Sequence, residues 1–152
     1  MKQYIPMSEK EVWSFLDTHK IMVVATVSRD GKPHNTPIWF VMKDGNIYFR
    51  AQHYKRKVRN LTEAPWVSCV VEDGEQYTEL RGVMIQGKAR VVEEESVRNW
   101  VNTALAARYR GLRDTHRMPA DWREQFEKEP REIIEIHPVM LVSWDNRKWL
   151  AK

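Results

Sequence analysis

The chain is 152 residues long, with 42% apolar and 30% charged residues, a balance that fits one globular domain over 1–152 and excludes wholesale disorder. No apolar run approaches the roughly 18 residues a membrane helix needs, and the opening MKQYIPMSEKEVW lacks the apolar core and small-residue cleavage site of a signal peptide. The net charge is only +4 but uneven, with HYKRKVR at 53–59 the densest basic stretch, and the single cysteine, Cys69, excludes an intrachain disulfide or a cysteine-based zinc site and suits a reducing cytoplasm.

Ser8-Glu9-Lys10-Glu11 has the spacing of a capping box, and Val12, Phe15, Leu16 and His19 continue at helical spacing, so a helix is expected over 8–18. Residues 20–29, KIMVVATVSR, are β-branched and read as a buried strand ended by the turn signal Asp30-Gly31. Residues 32–42 form the returning strand; Pro33 and Pro37 cannot donate to a ladder, which places it at an edge or bulges it. A second turn, Lys43-Asp44-Gly45-Asn46, leads to a third strand over 47–52. A short helix over 54–63 stops before Pro65, and strands follow at 66–72 and 79–92, the latter with Gly82 and Gly87 as expected bulges or bends.

Residues 93–110 read as the longest helix, acidic at its start and basic at its end, with Gly111 at C′. Its stripe of Val97, Trp100, Val101 and Leu105 is apolar, and in so small a chain it reads as a face for a partner subunit. Pro119 fits the first position of a further helix through Phe126, and 132–144 gives one or two last strands, broken near Pro138. Some six antiparallel strands with short turns and flanking helices predict a mainly β (α+β) barrel without repeats.

Catalytic signatures are few. No Gly-rich dinucleotide loop, phosphate loop or nucleophile elbow occurs, and Cys69 sits mid-strand like an inert core residue. The five histidines show no metal-ligand spacing, so no metal site is expected. An enzyme without its own acid, base or metal usually borrows its chemistry from a cofactor. The stretch that stands out is IYFRAQHYKRKVRNL, where a strand ends at Arg50-Ala51-Gln52 and Lys55-Arg56-Lys57 opens a helix. Cations at a helix N-terminus suit a phosphate dianion, although spacing alone leaves a solvated basic turn as an open reading.

The run Lys55-Arg56-Lys57, Asn60-Leu61, Pro65, Val67-Ser68 resembles the FMN phosphate segment of the pyridoxamine 5'-phosphate oxidase-like split barrels. The hairpin TVSRDGKPHNTPIWF at 26–40 and the long RGVMIQGKARVV strand at 81–92 are similar to other parts of that family, and the likeness spans about residues 8–150. No single motif is specific, but their order and spacing are.

The resemblance implies a six-stranded antiparallel split barrel, a homodimer with FMN bound non-covalently at the subunit interface, and flavin-dependent oxidoreduction of a small molecule. It carries Arg56 and Lys57 onto the phosphate pair with Lys55 beside them, Arg50, Ala51 and Gln52 onto the strand under the ribityl chain and ring, and Thr36, Pro37 and Ile38 onto the strand facing the pyrimidine edge. Trp144 falls on a C-terminal segment that covers the flavin from the partner. The tail offers only Arg147 and Lys148 where true oxidases hold pyridoxal phosphate, which argues against that substrate. The segment between Arg110 and Arg131 lies outside the minimal core, where it either walls a substrate pocket or pads the dimer.

Two alternatives remain. Related split barrels bind a deazaflavin, whose phosphate and longer anionic tail suit the same cations, or haem, for which His34 or His137 would be the ligand. From another class, basic residues interleaved with Tyr48, Phe49, Tyr54 and Trp66 would stack single-stranded nucleic acid.

Overall fold

The computed structural model describes residues 5–151. The first helix, α1 (Glu9–Thr18), starts as its sequence dictates: the Glu11 N–H donates to the Ser8 hydroxyl at 3.3 Å, and the Ser8 N–H donates to the Glu11 carboxylate at 2.6 Å. Seven strands follow, β1 (Met22–Val27), β2 (Pro33–Ile38), β3 (Phe40–Lys43), β4 (Asn46–Gln52), β5 (Trp66–Asp73), β6 (Arg81–Val91) and β7 (Arg131–Asp145). Helix α2 (Arg56–Glu63) joins β4 to β5, while α3 (Glu95–Arg108) and α4 (Ala120–Lys128) lie between β6 and β7. No described helix is long and apolar enough to cross a membrane.

The strands form one antiparallel sheet of order β2-β1-β5-β6-β7-β4-β3. Its two edge strands, β2 and β3, are consecutive in the chain with Trp39 alone between them. Seven flat strands would hold their edges roughly 29 Å apart, whereas one residue spans about 3.5 Å. The sheet therefore curls until its edges converge at Trp39, which makes the split barrel. The count of six strands is corrected to seven because residues 32–42 break at this corner. Residues 132–144 are not broken near Pro138 but belong to one long strand: Gln86 faces Met140 while Gly87 faces Pro138, so Val139 is an extra, bulged residue.

Pro33 and Pro37 lie on an edge strand, as their missing donors require. The Asp44-Gly45 turn has positive φ at both residues (51° and 78°), the backbone of a tight two-residue hairpin. Gly87 sits at the bulge, but Gly82 keeps regular register and is instead a seat: a Cβ there would run into the ring of Trp144.

Two apolar clusters hold the molecule together. One fills the barrel under α1 and α2 with Phe15, Leu16, Met22, Phe40, Phe49, Cys69, Ile85 and Ile134. The other joins α3 to the opposite side of β3 and β4 through Val41, Tyr48, Val101, Leu105, Tyr109 and Ile133, with Trp100 edge-on to Tyr48 at 5.6 Å. The apolar stripe of α3 is thus used within the chain, which corrects its reading as a partner face. At the end of α3, Arg108 donates to the carbonyls of Leu16 and His19 at 2.9 and 2.8 Å and ties α3 to α1. Tyr109 is 2% exposed; its hydroxyl accepts from the Phe40 N–H at 2.9 Å and shares its proton between the carbonyls of Lys20 and Phe40. Its ring stacks on Trp39 at 4.4 Å, so it pins the corner where the sheet closes.

Candidate functional site

Beside this corner lies a cavity of about 600 Å³, a volume in the range of cofactor sites. Its walls come from the end of β2, the end of β4, α2, the inner side of α3 and the 111–131 segment. Of the ten residues singled out from the sequence, Pro37, Ile38, Arg50, Ala51, Gln52 and Lys57 line it. Cross-strand register explains part of this: Gln52 is opposite Arg131, and Arg50 lies one step along the same face.

The other four residues lie elsewhere. Thr36 points from β2 toward the barrel interior, with its hydroxyl buried and unpartnered. Lys55 is exposed, its ammonium 5.2 Å from the Tyr54 ring centroid. Arg56 turns into a separate shallow depression with Ser28, Asp30, Arg59 and Glu63. Trp144 lies half-buried over Gly82, with its neighbours in register on β6.

The cavity is strongly positive. Arg50, Lys57, Arg110, Arg113 and Arg131 line it, and among the described residues none of them forms an ion pair. The one acidic lining residue, Asp114, is 3.5 Å from Arg117. Burial, with Arg131 and Arg113 nearby, lowers the Arg50 guanidinium to about 10, which leaves it charged at neutral pH. Burial, and then Lys55, also lowers the Lys57 ammonium. Lys57 sits in the first turn of α2, a turn that has no acidic residue and no side-chain cap. Free N–H groups and the positive end of the helix dipole therefore add to the lysine, an arrangement that an anion stabilises.

Sequence reasoning missed Trp39, Asn102, Leu105, Tyr109, Arg113, Phe126 and Arg131 as wall residues. The α3 residues carried a signal in their helical spacing, whereas Arg113 lies on an irregular loop, and Phe126 on α4 and Arg131 at the head of β7 carried no sign of the surface they would meet. The 111–131 segment walls the pocket, which decides one of its two expected roles. No histidine or cysteine lines the cavity, and no group of His, Cys, Asp and Glu among the described residues forms a metal site. Cys69 is in the core with its thiol pushed up to about 12 by burial. Tyr48 and Phe49, two of the aromatics considered for base stacking, are 6% and 0% exposed and support the core instead.

Comparison with known proteins gives the site its setting. A search of curated proteins finds no match. Among solved structures, a conserved hypothetical protein from Mycobacterium tuberculosis is 31% identical with a TM-score of 0.81, covering 98% of this chain and 91% of its own. The haem storage protein HutZ from Vibrio cholerae is similar in fold (20% identity, TM-score 0.69, 89% and 94% covered), as is an F420 reductase (23%, 0.62, 90% and 98%). The pyridoxamine 5'-phosphate oxidase family model matches residues 8–145. The chain belongs to the pyridoxamine 5'-phosphate oxidase family.

Proposed function

We propose that the chain is a flavin-dependent oxidoreductase that holds FMN non-covalently in this cavity, with the phosphate at Lys57 and the start of α2. The observation that carries the reading is Lys57 itself, a half-buried ammonium without a carboxylate partner among the described residues, at an uncapped helix N-terminus on the wall of a cofactor-sized cavity. Bound flavin supplies hydride exchange at its N5. The chain's part is binding and orientation: Ile38, Trp39, Ala51 and Leu105 form an apolar wall that excludes water, and the Gln52 amide offers a donor and an acceptor beside it. A haem reading finds no histidine in the cavity wall; His137 is exposed, with its Nδ1 3.0 Å from the Asn46 amide oxygen.

The same reading includes a homodimer. Pro37, Val23, Val70, Met84 and Val142 are direct cross-strand neighbours, so they form one row across the outer face of five strands. Four of them are apolar side chains left only half-buried, Met140 and Val139 at 44% and 59% exposure extend the patch, and Pro37 at its end lines the cavity. A second copy on this face buries the patch, abuts the cofactor site and brings its Trp144, which lies on the same face, toward the flavin. The single buried cysteine supports a reducing, cytoplasmic setting.

The test is to titrate the purified protein with FMN and follow flavin fluorescence and the visible spectrum, with haem and a deazaflavin as parallel arms. About one FMN per protomer is expected. Saturable binding of haem or deazaflavin alone rejects FMN as the ligand, and salt-sensitive binding of single-stranded nucleic acid without flavin binding rejects the class.

A further inference from the structure

The Lys57 corner accounts for one anionic group, yet most of the cavity's positive charge comes from other elements. Arg50 stands on β4, Arg131 begins β7, and Arg113 belongs to the loop after α3. Arg50 and Arg131 share one face of the paired strands as diagonal neighbours, because Gln52 is opposite Arg131. The Phe126 ring gathers two of the four arginines of the 111–131 segment: the guanidinium carbons of Arg131 and Arg113 lie 4.2 and 5.9 Å from its centroid.

Each guanidinium is held by neutral groups or by stacking. The Arg131 Nη2 donates to the Phe126 carbonyl at 2.6 Å, and the Arg50 Nη1 donates to the Asn102 side-chain oxygen at 2.9 Å. Each guanidinium has five donors, so most still point to no acceptor. Glu127 and Glu129 are near enough to act on Arg131 but neither lies within ion-pair distance, and Glu129 accepts from the Tyr54 hydroxyl. Three guanidinium groups brought together without a counter-ion repel one another, and a bound anion removes that cost.

We propose that Arg50, Arg113 and Arg131 form a second anion-binding subsite, which takes a carboxylate or phosphate group in addition to the one held at Lys57. It deepens the flavin reading, since the cavity is the same, but its residues and its test are separate. The group has two possible sources: the acidic tail of a longer cofactor such as a deazaflavin, or a separate acidic substrate beside FMN.

The experiment compares wild type with Arg113→Ala/Arg131→Ala, using Lys10→Ala, exposed on α1 and away from the cavity, as the control for net charge. FMN, the deazaflavin F420, and citrate added to protein with and without FMN are titrated by calorimetry, and circular dichroism checks the fold. Removing charged hydrogen-bond partners is expected to weaken the ligand that uses the subsite by about 10- to 100-fold and FMN alone by less than about threefold. A selective loss for F420 puts the anionic group on the cofactor; a selective loss for citrate puts it on a separate acid. Citrate binding that depends on Arg113 and Arg131 in a protein that takes no flavin keeps the subsite and rejects the flavin reading. The proposal is overturned if the double variant matches Lys10→Ala for every ligand, if FMN weakens as much as both F420 and citrate, or if wild type binds neither F420 nor citrate.

Discussion

Replacing Tyr109 by Phe removes one oxygen at the corner where the barrel closes. In the wild type that oxygen satisfies the N–H of Phe40, a residue with no solvent exposure, and bonds the carbonyls of Lys20 and Phe40 at 2.9 and 3.0 Å. The variant keeps the ring, its stack on Trp39 and its packing, so the effect isolates the hydroxyl. The Phe40 N–H is left buried without an acceptor, which costs about 1–3 kcal/mol. For a chain of this size that corresponds to a fall in Tm of about 2–12 °C. The assay is thermal unfolding by far-ultraviolet circular dichroism at fixed protein concentration, since a dimer's Tm depends on it. An unchanged Tm would refute the claim that this hydroxyl pins the strand edges, and would imply that Phe40 finds another acceptor.

Four further tests address the phosphate site, its charge, the outer face and the Trp144 seat. Lys57→Ala should weaken FMN by roughly 10- to 100-fold and riboflavin, which has no phosphate, by little; an equal loss for both rejects the phosphate assignment. The wild-type preference for FMN should also depend on pH. It falls on the acid side as the phosphate takes up its second proton near about pH 6, and on the alkaline side as Lys57 deprotonates, below its ordinary 10.5 because burial and Lys55 lower it; a preference that is flat through both limbs removes charge as its basis. Met84→Glu puts a carboxylate in the middle of the outer apolar row and should yield monomers by light scattering, whereas a dimer of wild-type affinity would place the interface elsewhere. Gly82→Ala should displace the Trp144 ring and cost about 1–3 kcal/mol, visible as a red-shifted tryptophan emission and a lower Tm; unchanged emission would mean the ring does not rest there.

The chain's punctuation carried much of the fold. The Ser8–Glu11 box, the Asp44-Gly45 turn and the two prolines of β2 each act through their own backbone, so their consequences are local and readable. The corner at Trp39 was hidden, because it follows from which strands end up at the sheet's edges, and that is a property of the whole sheet. The stripe of α3 was visible as a stripe, but its occupant was not: periodicity says that a face is buried, not whether its own sheet or another subunit covers it. The site divides the same way. Arg50 to Lys57 are close in sequence and were legible as a unit, yet Arg56 and Lys57 diverge because adjacent helical positions point about 100° apart. Arg113, Phe126 and Arg131 sit on a loop, on α4 and at the head of β7, and meet at the cavity only through tertiary folding.

The most direct test of the central claim is the ratio of FMN to riboflavin affinity in the unmodified protein at neutral pH and moderate salt. A phosphate dianion seated against Lys57 and the free N–H groups of α2 makes FMN bind at least about tenfold more tightly than riboflavin. Equal affinities, or no binding of either flavin, would contradict it.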